Sequence, residues 1–243
     1  MEAEKSSRRI ELIDALRGLS VVLMVVHHLF FNIWQFLDGP RWLFTNPVFD
    51  ILHYIFAGMF IFLAGVSSRF SRDNIRRGAI VVVFAVIITY VTVRVIDMPI
   101  WFGILHLLGF SMLFYGVTHK LWNIIPKLIA PFIYIGGIVV SAILLNDYHF
   151  TSDTVWIRDG FWILGWRQIG YISRDYFPIL PWIFVFLLGT WAGWFIRERK
   201  LPSGFYRIKP PIFPSIGRRS LLIYLLHQPI LYGLIMLYLH FFS

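Results

Sequence analysis

Residues 16–37 of the chain, LRGLSVVLMVVHHLFFNIWQFL, form an apolar block of membrane-spanning length that contains two adjacent histidines. Similar blocks follow, and the sequence predicts seven spans, near residues 16–37, 48–67, 79–96, 99–117, 127–145, 178–196 and 219–240. Each holds about 18–22 residues, which at ~1.5 Å per residue crosses a hydrocarbon core of roughly 30 Å. Lone strands would leave backbone groups unpaired in lipid, so the blocks are predicted to be helices. The predicted fold is all-α, with residues 1–243 as one polytopic membrane bundle.

The composition of the chain indicates the same class of protein. Apolar residues make up 58% of the 243 residues and charged residues 14%. Soluble domains usually contain about 45–50% apolar and roughly 25% charged residues. The chain has no cysteine, which excludes disulfides, thiolate metal sites and a cysteine nucleophile, and no metal cofactor is expected. The sequence contains no P-loop, dinucleotide fingerprint, HExxH or GxSxG motif, so ATP-driven or nicotinamide-linked activity is not expected.

The net charge of +9 is interpreted as a topology signal rather than as a sign of nucleic-acid binding. With the N-terminus in the cytoplasm, 17 of the 22 Lys and Arg residues fall on the inner side of the predicted spans. This bias predicts a cytoplasmic N-terminus and an extracytoplasmic C-terminus. The absence of cysteine and the short loops favour a plasma membrane, and a bacterial one. Residues 146–177 mix aromatic and charged side chains and are expected to cap the extracytoplasmic mouth at the membrane interface.

Polar side chains of the first span fall on one helical face, because their spacing of 3, 11, 4 and 3 residues follows the helical repeat. They are Asp14, Arg17, His28, Asn32 and Gln35. His27 is rotated from this face by about 100°. We therefore favour His28 as the functional histidine and expect His27 at a contact between helices.

Four histidines lie within predicted spans on different helices: His28, His53, His106 and His227. Ionisable residues inside spans usually mark function, and a neutral imidazole suits general-base catalysis. The four could converge on one cavity near the middle of the membrane. The alternative for each is an interhelical hydrogen bond, worth roughly 0.5–2 kcal/mol, and for His53 or His227 alone the two interpretations are about equally favoured.

Basic residues follow the second span and precede the third. Ser67, Arg69, Arg72 and Arg76 lie close to the predicted start of a helix. Guanidinium groups at such a place form a plausible cradle for phosphates, as an acyl-CoA headgroup would need. Orientation anchors would look the same in the sequence.

Five stretches, in order, resemble the heparan-alpha-glucosaminide N-acetyltransferase catalytic-domain family of transmembrane acyltransferases. They are RIELIDALRGL at residues 9–19 with His28 after it, FIFLAGVSS at 60–68, FGILH at 102–106, YFPILPW at 176–182 and SLLIYLLHQP at 220–229. The resemblance covers nearly the whole chain. It implies transfer of an acetyl group from cytoplasmic acetyl-CoA to an extracytoplasmic glycan or similar amine or hydroxyl acceptor.

The resemblance also implies roles for the candidate residues. His28 would act as general base or acyl carrier, with Asn32 and His106 orienting or polarising the reacting groups. Arg17, with Ser67, Arg69, Arg72 and Arg76, would bind CoA, and the substrate cavity would be lined by His53, Trp182, Tyr224 and His227. In the lysosomal member of the family the catalytic histidine lies in the loop after the first helix, and residues 38–46 contain none. Either His28 or His53 would take its place.

Two other kinds of protein remain compatible with the sequence. One is a transporter or accessory subunit without enzymatic activity. The other is a membrane redox protein, because imidazoles on facing helices also ligate haem. Larger members of the family have more spans than are predicted here, so a homodimer is a candidate arrangement.

Overall fold

The computed structural model describes residues 10–43, 46–94, 99–147, 161–166, 173 and 175–242. Within these ranges the chain forms helices and no strand, which confirms the all-α prediction. The α-helices are α1 (Glu11–Phe36), α2 (Pro47–Ser68), α3 (Asn74–Arg94), α4 (Ile104–Ile124), α5 (Ala130–Asp147), α6 (Ile179–Arg197), α7 (Ser203–Arg207), α8 (Phe213–Arg218) and α9 (Ser220–Phe242). Two 3₁₀ turns cover Arg41–Leu43 and Phe161–Ile163.

Five of the helices in the described ranges are long and apolar enough to cross a membrane. They are α1, α2 in the stretch Arg41–Ser68, α3, α6 and α9. The apolar part of α5, Ala130–Leu145, is shorter, and α4 does not belong to this set. The chain is therefore a membrane protein with five candidate spans by length and composition.

The outward face of α3 shows why such helices need lipid. Val83, Val86, Ile87 and Tyr90 are each at least half exposed. Their spacing places them on one stripe of the helix. A water-soluble protein rarely exposes a contiguous apolar surface of this kind, whereas a hydrocarbon environment favours it.

Two helices begin at residues other than those predicted from the apolar pattern, because a polar side chain caps each start. Helix α3 begins at Asn74 instead of residue 79, because the Asp73 carboxylate accepts a hydrogen bond from the Arg76 N–H at 2.8 Å. Helix α4 begins at Ile104 instead of residue 99. Its first N–H donates to Asp175 Oδ2 at 3.2 Å, across 71 residues of sequence.

The chain divides into two compact units, and the first comprises residues 1–63 and 201–243. In this unit α1 packs against α8 and α9. The contact with α8 requires two glycines: a methyl group at Gly18 would overlap the Phe213 carbonyl oxygen, and one at Gly217 would overlap that of Asp14. The two backbones therefore touch without intervening side chains.

The second unit comprises residues 64–200. Helix α3 packs along α4, and a Cβ at Gly78 would lie only 2.8 Å from the Leu113 backbone nitrogen. Helix α6 packs against α5 and also contacts α4. The prediction that residues 146–177 form an interfacial cap falls largely outside the described residues. Of that stretch, Tyr176 donates a hydrogen bond to the Trp162 carbonyl oxygen.

Candidate functional site

Four imidazoles lie together in the first unit and are called here the histidine cluster: His27 and His28 on α1, His53 on α2 and His227 on α9. The rings of His27 and His53 stack with centroids 4.3 Å apart, and those of His28 and His227 are 5.0 Å apart. His27 and His28 are joined edge to face at 5.8 Å. The structure thus brings together three of the four predicted histidines, and the stack on His53 confirms His27 at a helix contact.

Two amide side chains connect His28 to α9. Asn32 Nδ2 donates to Gln228 Oε1 at 3.1 Å, and Gln228 Nε2 lies 3.0 Å from His28 Nδ1. Asn32 is 2% exposed. Since His28 and Asn32 are one helical turn apart, a single side chain from α9 reaches both. Gln228 was not predicted as a site residue, although a polar residue next to a histidine within an apolar span was the signal that could have identified it.

His227 is buried, with 7% of its surface exposed. Its Nδ1 lies 2.7 Å from the Tyr224 carbonyl oxygen, and its Nε2 has no hydrogen-bond partner within the described part of the chain. The ring of Tyr224 lies 5.4 Å from that of His227 and stacks at 6.4 Å on Phe60. His227 therefore lies between His28 and Tyr224, with ring contacts to both.

Arg17 lies nearer the start of α1 than the cluster does. Its guanidinium pairs with the Asp14 carboxylate at 3.3 Å, three residues earlier on the same face. Both side chains are mostly buried. The first two residues of the predicted polar stripe thus partly neutralise each other.

The second unit contains a cavity of about 310 Å³, called here the arginine cavity. Its lining includes Arg69, Arg72, Arg197, Ser68, Asn74 and Tyr115. Of the predicted CoA-binding residues, Arg69 and Arg72 belong to this lining, whereas Ser67 and Arg76 do not. Arg197 and Tyr115 were not predicted, because they come from helices distant in sequence.

Arg69 is held in place by several neighbours. Its Nε donates to the Thr190 carbonyl oxygen at 3.0 Å, and its Nη1 donates to Asn123 Oδ1 at 2.7 Å. The guanidinium also lies 5.6 Å from the centre of the Tyr115 ring, a cation–π distance. None of these partners is a carboxylate, and the Asp73 carboxylate that also lines the cavity accepts a hydrogen bond from the Arg76 N–H.

Two further features concern Asn74, which lines the arginine cavity, and Lys127, which is close enough to Arg69 to be repelled by it. Asn74 Nδ2 donates to the Ser68 carbonyl oxygen at 2.9 Å, and its Oδ1 is buried without a partner in the described residues. The pKa of Lys127, in the turn before α5, is lowered by burial and then by repulsion from Arg69. The cavity therefore combines a positive field with a free hydrogen-bond acceptor.

His106 belongs to the second unit, where both of its ring nitrogens are engaged. The Gly103 N–H donates to Nδ1 at 3.2 Å, so the proton of the neutral ring lies on Nε2, which is 3.1 Å from Thr89 Oγ1. Thr89 in turn donates to the Ile100 carbonyl oxygen at 2.6 Å. These contacts join α3 to the start of α4. Trp182, also in this unit, packs against Phe177 at 5.3 Å.

In the parts of the chain that the structure describes, no group of three or more His, Asp or Glu side chains is arranged to hold a metal ion. Comparison with family models matches residues 9–229 to the family described as "Heparan-alpha-glucosaminide N-acetyltransferase, catalytic". No curated protein and no solved structure matches the chain. The match spans most of the sequence and confirms the resemblance carried by the five stretches above.

Proposed function

The chain belongs to the heparan-alpha-glucosaminide N-acetyltransferase catalytic family, and on that premise we propose that it transfers an acetyl group from cytoplasmic acetyl-CoA to an extracytoplasmic acceptor. The observation that carries this proposal is the family match over residues 9–229. The acceptor would present an amine or a hydroxyl group, as a glycan does.

The arginine cavity is the proposed binding site for the phosphate-bearing end of CoA. Arg69 and Arg72 supply guanidinium groups, which bind phosphates through paired hydrogen bonds. The volume of about 310 Å³ is at the small end of ligand pockets, which span roughly 300–1,000 Å³. This size suits part of the CoA molecule. Ser67, Arg76 and Arg17 do not line the cavity, so this proposal does not include them among the residues that bind the phosphates.

The histidine cluster is the proposed place of acyl transfer. It concentrates imidazole and amide groups within apolar helices, where such groups are costly and usually serve function. His28 takes part directly, Asn32 orients it through Gln228, and His53, Tyr224 and His227 line the acceptor side. His106 is left out of the reacting group, because both its nitrogens already have partners.

We also propose that α4 and α5 cross the membrane with the five helices named above, which gives seven spans. The distribution of Lys and Arg supports a cytoplasmic N-terminus and an extracytoplasmic C-terminus in a plasma membrane, of bacterial type. The arginine cavity would then open toward cytoplasmic acetyl-CoA. A homodimer is part of this proposal and predicts a detergent complex of twice the 28.6 kDa chain mass.

Single cysteines test this topology, because the natural chain has none. Ser203→Cys, in α7, is expected to resist a membrane-impermeant maleimide in intact cells and to react after lysis. Asp38→Cys, in the loop after α1, is expected to react in intact cells. Labelling at both positions before lysis, or the reverse pattern, would contradict the proposed orientation.

A pair of arginine variants tests the donor site. Arg72→Gln is expected to weaken acetyl-CoA binding by about 5–30-fold, because one charge-assisted contact is worth roughly 1–2 kcal/mol when partly exposed. Arg76→Gln removes the same charge one turn away, outside the cavity, and is expected to change binding less than about twofold, as screened surface charges do. Calorimetric titration with acetyl-CoA in detergent measures both. Equal effects of the two variants would mean that only the overall charge matters.

The experiment that tests the function as a whole is acetyl-CoA binding and slow hydrolysis by the purified wild-type protein. Binding with release of free CoA supports an acyltransferase. Failure to bind acetyl-CoA contradicts the proposal and favours a transporter or accessory subunit. A Soret band in the purified protein would instead favour the haem-binding alternative.

A further inference from the structure

The hydrogen bonds at His28 indicate which of its ring nitrogens carries the proton. Asn32 Nδ2 donates to Gln228 Oε1, which sets the orientation of the Gln228 amide and turns its Nε2 toward His28. An amide nitrogen can only donate, so Nδ1 of His28 accepts. A neutral imidazole has one donor and one acceptor nitrogen. With the two amides in this orientation, the proton of His28 is on Nε2.

His227 has the opposite arrangement. A carbonyl oxygen can only accept, so Nδ1 of His227 donates to the Tyr224 oxygen 2.7 Å away and carries the proton. The lone pair of the neutral ring is then on Nε2. That atom is buried and has no partner among the residues that the structure describes. Leaving such an atom unpaired costs about 1–3 kcal/mol, and a bound group with a proton to donate would recover this cost.

The planes of the His28 and His227 rings are inclined at 46° to each other, with centroids 5.0 Å apart. Together they offer one N–H donor, on His28, and one lone pair, on His227. We propose that His227 is the general base of the acyl transfer and that His28 is a hydrogen-bond donor to the thioester carbonyl oxygen. This inference rests on the acetyltransferase function proposed above, and it divides between two residues what the sequence assigned to His28 alone.

In the proposed reaction His227 transfers the proton and His28 stabilises the carbonyl oxygen. The lone pair of the acceptor amine or hydroxyl attacks the acetyl carbonyl carbon while Nε2 of His227 takes the acceptor's proton. The Nε2–H of His28 stabilises the negative charge on the carbonyl oxygen, as a neutral histidine can in an oxyanion site. The C–S bond then breaks, its electron pair goes to sulfur, and the imidazolium of His227 protonates the CoA thiolate. Free CoA leaves and His227 is neutral again.

Gln228 and Asn32 are positioning residues in this scheme. They touch no substrate and act by keeping the His28 proton on Nε2. If both amides were reversed, Gln228 Oε1 would accept from Nδ1 of His28, the lone pair would move to Nε2, and His28 would be the base. The tautomer of His28 in the wild-type protein therefore separates the two schemes.

The experiment is nitrogen NMR of the full chain in detergent, with ring ¹⁵N-labelled histidine at alkaline pH, where imidazoles are neutral. Signals are assigned by their loss in His28→Gln and His227→Gln. We expect the Nε2–H tautomer at His28 and the Nδ1–H tautomer at His227. The opposite tautomer at either residue overturns the inference, and this readout needs no enzymatic activity.

Gln228→Glu tests the positioning role. A carboxylate can only accept, so the proton of His28 is expected to move to Nδ1, and its two ring nitrogen signals should exchange character. His240→Gln, at the exposed end of α9, is the matched control and should leave both tautomers unchanged. An unchanged His28 tautomer in folded Gln228→Glu would remove Gln228 from the proposal.

Steady-state kinetics provide a second test of the roles proposed for His227 and His28. His227→Gln replaces the basic nitrogen with an amide and is expected to lower kcat by about 10²–10⁴-fold with little change in KM for acetyl-CoA. His28→Gln keeps an N–H group near the position of Nε2. Its kcat is therefore expected to be at least about tenfold higher than that of His28→Ala. A nearly active His227→Gln would overturn the base assignment. If the wild type fails to turn over acetyl-CoA, the proposed function fails, while NMR still decides the tautomers.

Discussion

Alanine at position 28 is expected to lower acetyl-CoA turnover by about 10²–10⁴-fold, the range over which removal of a general-base or oxyanion-site group acts. Donor binding should change little, since Arg69 and Arg72 of the arginine cavity are left intact. The rate of CoA release under saturating acetyl-CoA, measured beside a calorimetric titration, separates the two effects.

His240→Ala is the matched control for this variant. It removes an imidazole from an exposed position near the end of α9 and should leave both rate and binding unchanged. Wild-type turnover by His28→Ala would exclude the histidine cluster as the place of transfer. Loss of binding together with turnover would show that the substitution has disturbed the fold rather than the chemistry.

Gly18→Ala is expected to destabilise the protein by about 1–3 kcal/mol or more, the usual cost of overpacking a tight contact. The added methyl group would overlap the Phe213 carbonyl oxygen, which is backbone and cannot rotate away. At an unconstrained helix position the same change stabilises by up to about 1 kcal/mol. The sign of the effect therefore reports on the contact between α1 and α8.

Gly233→Ala provides that unconstrained comparison, because a Cβ there would meet nothing within 4 Å. Thermal unfolding in detergent, followed by tryptophan fluorescence, should show a lower midpoint for Gly18→Ala and an equal or higher one for Gly233→Ala. Gly217→Ala disturbs the same contact, so its combination with Gly18→Ala should cost less than the sum of the two. A stabilised Gly18→Ala would contradict the described packing of α1 on α8.

Hydropathy located the helices well because each apolar block is a local property of the chain. Their first residues were harder to predict. The cap of α3 is local and visible as Asp73, but the cap of α4 is Asp175, which no local pattern connects to Ile104. The limits of α6 and α9 agree with the predicted spans to within two residues, whereas α1 begins at Glu11, five residues before the predicted start at residue 16.

In the candidate site too, features that are local in sequence could be predicted, and features that depend on tertiary packing could not. The pairing of His28 and Asn32 on one face followed from helical periodicity, and the structure confirms it through their shared neighbour Gln228. Which face of α9 meets α1 is a tertiary property, so Gln228 was not singled out. Depth estimates grouped His106 with the other three histidines, but depth gives no information about the hydrogen bonds to Gly103 and Thr89 that occupy its two ring nitrogens. The arginine cavity also required helices that are distant in sequence.

The bond from Ile104 to Asp175 has a consequence for biosynthesis. At about 5–20 residues per second, Asp175 leaves the ribosome roughly 4–14 s after Ile104, because 71 residues separate them. Until then α4 relies on α3, which is made before it and touches it backbone to backbone at Gly78. The α3–α4 hairpin is thus the part of its unit that can assemble first during translation, and the segment carrying Asp175 closes the start of α4 only afterwards.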